Sequence, residues 1–274
     1  MGTVAAIQMA SGPNISANLT EVSRLISDAA ATGAGLIVLP ENFAMMGITE
    51  QDKVGIKESD GEGPIQDFLA MEAERHAIWL VGGTVPLLTD NPEKVSASCL
   101  LFNDKGERVA RYDKIHLFDV EIQETGEHYI ESETIEPGEK VVVVDTPFGR
   151  LGLAVCYDLR FPELFRRMLD DGMEVLALPS AFTAITGKAH WESLLRARAI
   201  ENLSYVIASA QGGYHVNGRE THGHSVIIDP WGAILDELPS GSGFVCADID
   251  MENVSSTRRT FPTIAHRRMP CNLP

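Results

Sequence analysis

Residues 140–172 read KVVVVDTPFGRLGLAVCYDLRFPELFRRMLDDG. Two apolar runs flank Pro147-Phe148-Gly149, the composition of a tight turn, so they read as a strand pair. From Leu151 to Cys156 the second run is apolar or small at every position, the pattern of a strand buried on both faces. Pro162 then stands in a helix's first turn, where a missing N–H does no harm, and Gly172 stands where that helix ends. A hairpin and a strand-to-helix passage thus share one segment. That combination calls for mixed sheets with helices outside.

The rest of the chain repeats both patterns. "TVAAIQMA" is strand-like, and over 14–32 the residues Ile15, Leu19, Val22, Leu25, Ile26 and Ala29 fall at helical spacing before Gly33. "GLIVLPE" reads as a buried strand, 64–76 as a helix and "IWLVGGTVPL" as one strand. "SASCLLFND" begins hairpin-like strands with a turn at Asp104-Lys105-Gly106. "EVLALPSAF" is a strand, 188–202 a helix, "SYVIASAQ" a strand, "HGHSVIIDPWGAILDEL" a hairpin and "GFVCADI" the last core strand. Without a linker or repeat, residues 1–274 read as one domain, with an extended arm from about Thr260. Several strand pairs lack an intervening helix, so two face-to-face sheets fit better than one doubly wound sheet.

A net charge of -17 argues against a nucleic-acid surface. No apolar run reaches the roughly 20 residues that span a bilayer, and the start carries no signal-peptide pattern. Cys99, Cys156, Cys246 and Cys271 form no Cys-x-x-Cys pair, which disfavours a zinc ribbon or a disulfide framework and fits a reducing cytoplasm.

Three separated residues carry candidate chemistry. Cys156 ends a buried strand, where a side chain can be presented to a site, although an isolated cysteine there is more often inert packing. It lacks the glycines of a nucleophile elbow, since Ala154 and Asp158 occupy those places. Glu41 follows "LIVLP" at a strand mouth, where desolvation would raise its pKa and suit it to proton transfer; the plainer reading is a solvated strand cap. Lys114, in "YDKIHLFD", could lower a neighbouring thiol's pKa, or be a surface lysine. His215, His222 and His224 with Glu220 form a candidate zinc cluster, set against ordinary hairpin hydrogen bonding.

Glu41 after "LIVLP", Lys114 in "YDKIHLFD" and Cys156 in "VCYDLRFPE", in that order across nearly the whole chain, resemble the carbon-nitrogen hydrolase, or nitrilase, superfamily. The Cys-Trp-Glu of true nitrilases is absent. "CYDLRFPE" resembles the branch of omega-amidases and deaminated glutathione amidases, and "AQGGYHVNGRETHGHS" is more similar to the latter. The resemblance implies a four-layer α-β-β-α sandwich, a homodimer or larger assembly, and no metal or organic cofactor. It implies an amidase that releases ammonia or an amine through a cysteine thioester, with Cys156 as nucleophile and Glu41 as base. Lys114 and the backbone N–H of Tyr157 would hold the oxyanion. A second glutamate before a Pro-Gly segment falls on Glu131; the preceding loop is slightly long, which leaves Glu127 as runner-up. A carboxylate-bearing substrate could meet Arg160 and Thr183, though an ion pair of Arg160 with Asp158 or Glu163 is the plainer expectation. Alternatives are an omega-amidase acting on alpha-ketoglutaramate, a carbamoylase or aliphatic amidase, a catalytically silent scaffold, and a zinc hydrolase on the histidine cluster.

Overall fold

The computed structural model describes residues 1–123 and 126–269. Its first sheet builds on the opening strand, Gly2–Gln8, whose two faces are both apolar. Val4 and Ala6 share a core cluster with Leu36 and Val38, while Ala5 and Ile7 share another with Ile37 and Leu39. The alternation is that of a strand pleat. Helices cover the Ala5 face: Ile15–Ala31 brings Val22, Leu25 and Ile26, and Pro64–His76 brings Ile65, Leu69 and Ala73. The first helix starts as its sequence implies, with the Asn14 side chain accepting from the Ala17 N–H, and ends at Gly33 with φ +93°.

Leu36–Val38 and Trp79–Val81 continue this sheet in parallel, and Gly243–Ile249 closes one edge antiparallel to the opening strand. Val95–Phe102 follows, paired with Val85–Leu88 and Arg108–Asp113. The second sheet runs Ile234–Leu238, Ser225–Ile228, Tyr205–Ala210, Val175–Ser180, Gly149–Leu153, Val143–Thr146. Its centre is parallel and its margins antiparallel, so both sheets are mixed. Helices Pro162–Asp170 and Ala184–Asn202 pack on it through Leu164, Phe165, Trp191 and Leu195. Between the sheets, Ser225 N–H donates to Gln8 Oε1 at 2.8 Å and Ser209 Oγ donates to the Ile7 carbonyl. The order is helices, sheet, sheet, helices.

Three elements differ from the sequence reading. "IWLVGGTVPL" is two strands, Trp79–Val81 and Val85–Leu88, both paired to Val95–Phe102. The break has a steric reason: Gly83 has φ +53°, and a Cβ there would collide with the Pro40 carbonyl oxygen. The interruption lets the Pro40–Glu41 backbone come close. The helix expected over 188–202 begins at Ala184; the Gly187 N–H donates to the Thr183 carbonyl at 2.8 Å in the extra turn, and a Cβ at Gly187 would collide with the His222 side chain. Met251–Thr260, for which no helix was expected, is a helix capped by Asp250. Its Arg258 donates to the carbonyls of Met173, Asn202 and Leu203, where helix Ala184–Asn202 ends. Beyond Thr260, residues 261–269 run in turns and Arg267 pairs with Asp170; the rest of the expected arm, with Cys271, lies outside the described residues.

Gly83→Ala should therefore lower stability by about 1–3 kcal/mol in chemical denaturation. Gly55→Ala is its control: a Cβ there meets nothing within 4 Å, and the change should stay within about 0.5 kcal/mol.

Candidate active site

Residues distant in sequence meet at the strand ends. Glu41 follows Leu36–Val38 after Leu39 and Pro40, and only 4% of it is exposed. Its backbone is fixed by Gln211 Nε2 donating to the Glu41 carbonyl at 3.0 Å and by Asn42 N–H donating to Thr84 Oγ1 at 2.9 Å. Lys114 follows Arg108–Asp113 and is 1% exposed. Its Nζ donates to Glu41 Oε1 at 2.8 Å and to both oxygens of Glu131 at 2.9 and 2.8 Å. Glu131 opens a short 3-10 turn, Glu131–Glu133, and also accepts from the Phe118 N–H at 2.7 Å. Of the two glutamates considered, Glu131 is the one on Lys114; Glu127 lies on the strand Glu127–Ile130.

Cys156 is not the last residue of its strand, which ends at Leu153. It opens a 3-10 turn, Cys156–Arg160, with φ +48°, a conformation costly for a non-glycine residue. The elbow that seemed to require glycines forms without them. The reason is Asp158, fully buried, whose carboxylate accepts from the Val155 N–H at 2.9 Å, Tyr112 Oη at 2.7 Å and the His116 N–H at 3.0 Å. His116 Nδ1 lies 2.7 Å from the same carboxylate. Tyr112 and His116 flank Lys114, so Asp158 clamps the cysteine turn to the lysine segment. The N–H of Tyr157 sits in the first turn, where helical geometry leaves donors open.

Electrostatics departs from the sequence expectation at two residues. Burial pushes the Glu41 carboxyl up, but the Lys114 ammonium and hydrogen bonds from Lys114 and Cys156 outweigh it, so Glu41 titrates below its ordinary value. Burial, then the charge of Glu41, push the Cys156 thiol well above its ordinary value; Lys114 and the Ala181 N–H offset only part of this. Lys114 stays an ammonium: burial opposes its charge, but Glu131 and Glu41 raise it well above the usual lysine value. Both shifts favour a neutral thiol beside an ionised Glu41.

These groups line a cavity that opens to solvent. Thr183, at the N-cap of helix Ala184–Asn202, lines it, with its Oγ1 2.7 Å from Thr186 Oγ1. Arg160 also lines it instead of pairing with Asp158 or Glu163; Asp158 is occupied, and Arg160 lies over the Phe182 ring, with Nη1 3.1 Å from His190 Nδ1. The sequence reading missed Arg219, Tyr129 and the Glu50–Lys53 pair, which also face the cavity; their convergence is tertiary and leaves no local pattern. The histidine cluster disperses. His215 bridges the Ser11 carbonyl and Thr221 Oγ1, while His222 stacks on His224, whose Nδ1 lies 2.6 Å from Glu237. Among the described residues, no three metal-ligating side chains converge.

Asp158→Ala orphans several buried donors and should cost about 1–3 kcal/mol for each one left unpaired. Thermal denaturation together with alkylation of Cys156 should show lower stability and a slower-reacting thiol. Asp158→Asn should lose less on both counts.

Comparison with known proteins agrees with this geometry. The carbon-nitrogen hydrolase family model matches residues 3–259. The deaminated glutathione amidase of Yersinia enterocolitica is 40% identical over 271 residues, 98% of this chain and 94% of that protein. That of Synechocystis sp. (strain PCC 6803 / GT-S) is 43% identical over 266 residues, 96% and 97% of the two chains. The crystal structure of the C. elegans NitFhit protein matches with TM-score 0.87 and 36% identity over 97% of this chain, which spans 65% of that longer one. Family match, relatives and fold all lead to one assignment: the chain belongs to the carbon-nitrogen hydrolase family.

Proposed function

We propose that this chain is an amidase acting on deaminated glutathione, with Cys156 as nucleophile. The observation that carries the reading is Cys156 and the Glu41 carboxylate lining one cavity, beside a buried ammonium held by Glu41 and Glu131. The names of the relatives at 40% and 43% identity support the substrate.

As Cys156 Sγ bonds to the amide carbon, its proton passes to Glu41 and negative charge develops on the carbonyl oxygen. Lys114 and the Tyr157 N–H stabilise that oxygen. The C–N bond then breaks, the amine departs with the proton from Glu41, and the carbonyl re-forms as a thioester. Water adds next, giving a proton to Glu41. The C–S bond breaks, the acid leaves, and the sulfur recovers its proton from Glu41. Glu131 holds Lys114 in place. Thiol, carboxylate and ammonium supply nucleophile, base and electrophile without a cofactor. Arg160, Thr183 and the N-terminal end of helix Ala184–Asn202 favour an anionic substrate. In the same reading the chain works in the cytoplasm as a homodimer or larger assembly. Three free thiols among the described cysteines, and the exposed Ile200, Trp231 and Phe261 side chains, support those two points.

Cys156→Ala should abolish turnover. Glu41→Gln should cut kcat about 10²–10⁴-fold, and Lys114→Met about 10²–10³-fold. Each is measured as hydrolysis of deaminated glutathione by folded protein, and wild-type turnover in any of them rejects the assigned role. A strong preference for alpha-ketoglutaramate would make the protein an omega-amidase instead.

The resting thiol gives a separate pH prediction. A raised pKa means that the thiolate fraction keeps growing beyond about pH 8.5, the ordinary thiol value. Alkylation of the free enzyme by iodoacetamide should rise through this range. Glu41→Gln removes the repelling charge and should shift the profile to lower pH. A wild-type plateau below neutrality would mean a preformed thiolate and would sink the proposed resting state.

A further inference from the structure

Four basic side chains line the cavity, Lys53, Lys114, Arg160 and Arg219, against three acidic ones, Glu41, Glu50 and Glu131. Lys114 is spent on Glu41 and Glu131, and Lys53 Nζ lies 2.6 Å from Glu50. Among the described residues no ion pair joins Arg160 or Arg219 to a carboxylate. In a chain of net charge -17, two cavity guanidinium groups left without acids are a local excess of positive charge with acceptors still to find.

Arg219 is also held still. It sits in the loop of the hairpin formed by Gly212–Tyr214 and Glu220–His222. Its carbonyl accepts from the His215 N–H at 2.9 Å, and its N–H donates to Asn217 Oδ1 at 3.0 Å. The guanidinium lies 5.2 Å from the Tyr129 ring centre and donates through Nη2 to the Ala181 carbonyl. Its Nε is buried with no partner among the described residues. A guanidinium fixed in place with donors to spare is preorganised for a carboxylate.

The two arginines reach the cavity from different elements. Arg160 belongs to the same 3-10 turn as Cys156, the atom that keeps the acyl half. The hairpin of Arg219 follows Gln211, which bonds the Glu41 carbonyl, and the Arg219 charge acts on Glu41. Glu41 is the group that delivers a proton to the departing amine. We infer that Arg219 binds a carboxylate carried by the leaving amine, and so determines the preference for amides whose amine half is itself an acid. This rests on the amidase reading above and adds the residue that reads the amine half.

The test compares two amides with the same acyl half: deaminated glutathione, whose leaving amine ends in a carboxylate, and alpha-ketoglutaramate, which releases ammonia. The readout is the ratio of their kcat/KM values in wild type, Arg219→Gln and Arg219→Lys. The ratio should fall about 10- to 100-fold in Arg219→Gln and partly recover in Arg219→Lys. Inhibition by the product cysteinylglycine should weaken in Arg219→Gln more than inhibition by the keto-acid product, a distinction that a merely structural residue would not make. A ratio unchanged within about twofold, or equal weakening of both product inhibitions, overturns the inference while leaving the amidase reading intact. If wild type hydrolyses neither amide, the amidase reading fails and this inference falls with it.

Discussion

An ammonium buried between two carboxylates is the interaction on which the site depends. Lys114 is taken out of water almost completely, at a cost that only opposite charges close by can offset. Glu131 meets it with both oxygens and Glu41 with one. Removing Lys114 would leave two carboxylates without their counter-charge, and removing either glutamate would take from the buried ammonium one of its two partners. The arrangement therefore specifies its own geometry: three segments, ending near residues 41, 114 and 131, must arrive together or none is stable.

That pairing sets the protonation of the thiol beside it. A lysine near a cysteine is usually read as an activator that ionises sulfur. Here the ammonium is already neutralised by its glutamates, so the field at Cys156 is dominated by burial and by the nearby Glu41 charge. In the proposed mechanism activation passes instead to Glu41, whose carboxyl is held below its ordinary value by Lys114. In that mechanism a neutral thiol that ionises only as it attacks reacts less readily with stray electrophiles, and the proton it passes to Glu41 loosens one partner of the ammonium as charge develops on the substrate oxygen.

A second device, Asp158, holds the sulfur where this can happen. The strained backbone at Cys156 is held by a carboxylate whose partners come from the cysteine turn and from both flanks of the lysine. Strain at Cys156 is thus offset by hydrogen bonds made next to it. The cavity inverts the sign of the protein's overall charge, with two guanidinium groups lining it in a strongly acidic molecule.

Much of this was legible in the chain. Continuous apolar runs and helical spacing over 15–29 define the core strands and the first helix, because a strand covered on both faces is apolar throughout and a helix covered on one face is apolar at its own period. Motif order marked Glu41, Lys114 and Cys156 as candidates, and Glu131 through the Pro-Gly segment after it. Local pattern could not reveal the break at Gly82-Gly83, which exists because Pro40 passes close by, nor the Gly187 contact with His222. The pKa directions of Glu41 and Cys156 were misjudged for the same reason. Burial, charge and hydrogen bonding at a site are sums over neighbours, and here nearly all of those neighbours lie far away in sequence. The sequence by itself determined most of the strands and helices of the two sheets and marked Glu41, Lys114 and Cys156 for their chemistry. Only the tertiary structure decided which charges neutralise each other and which are left for a substrate, because an electrostatic interaction depends on distance in space.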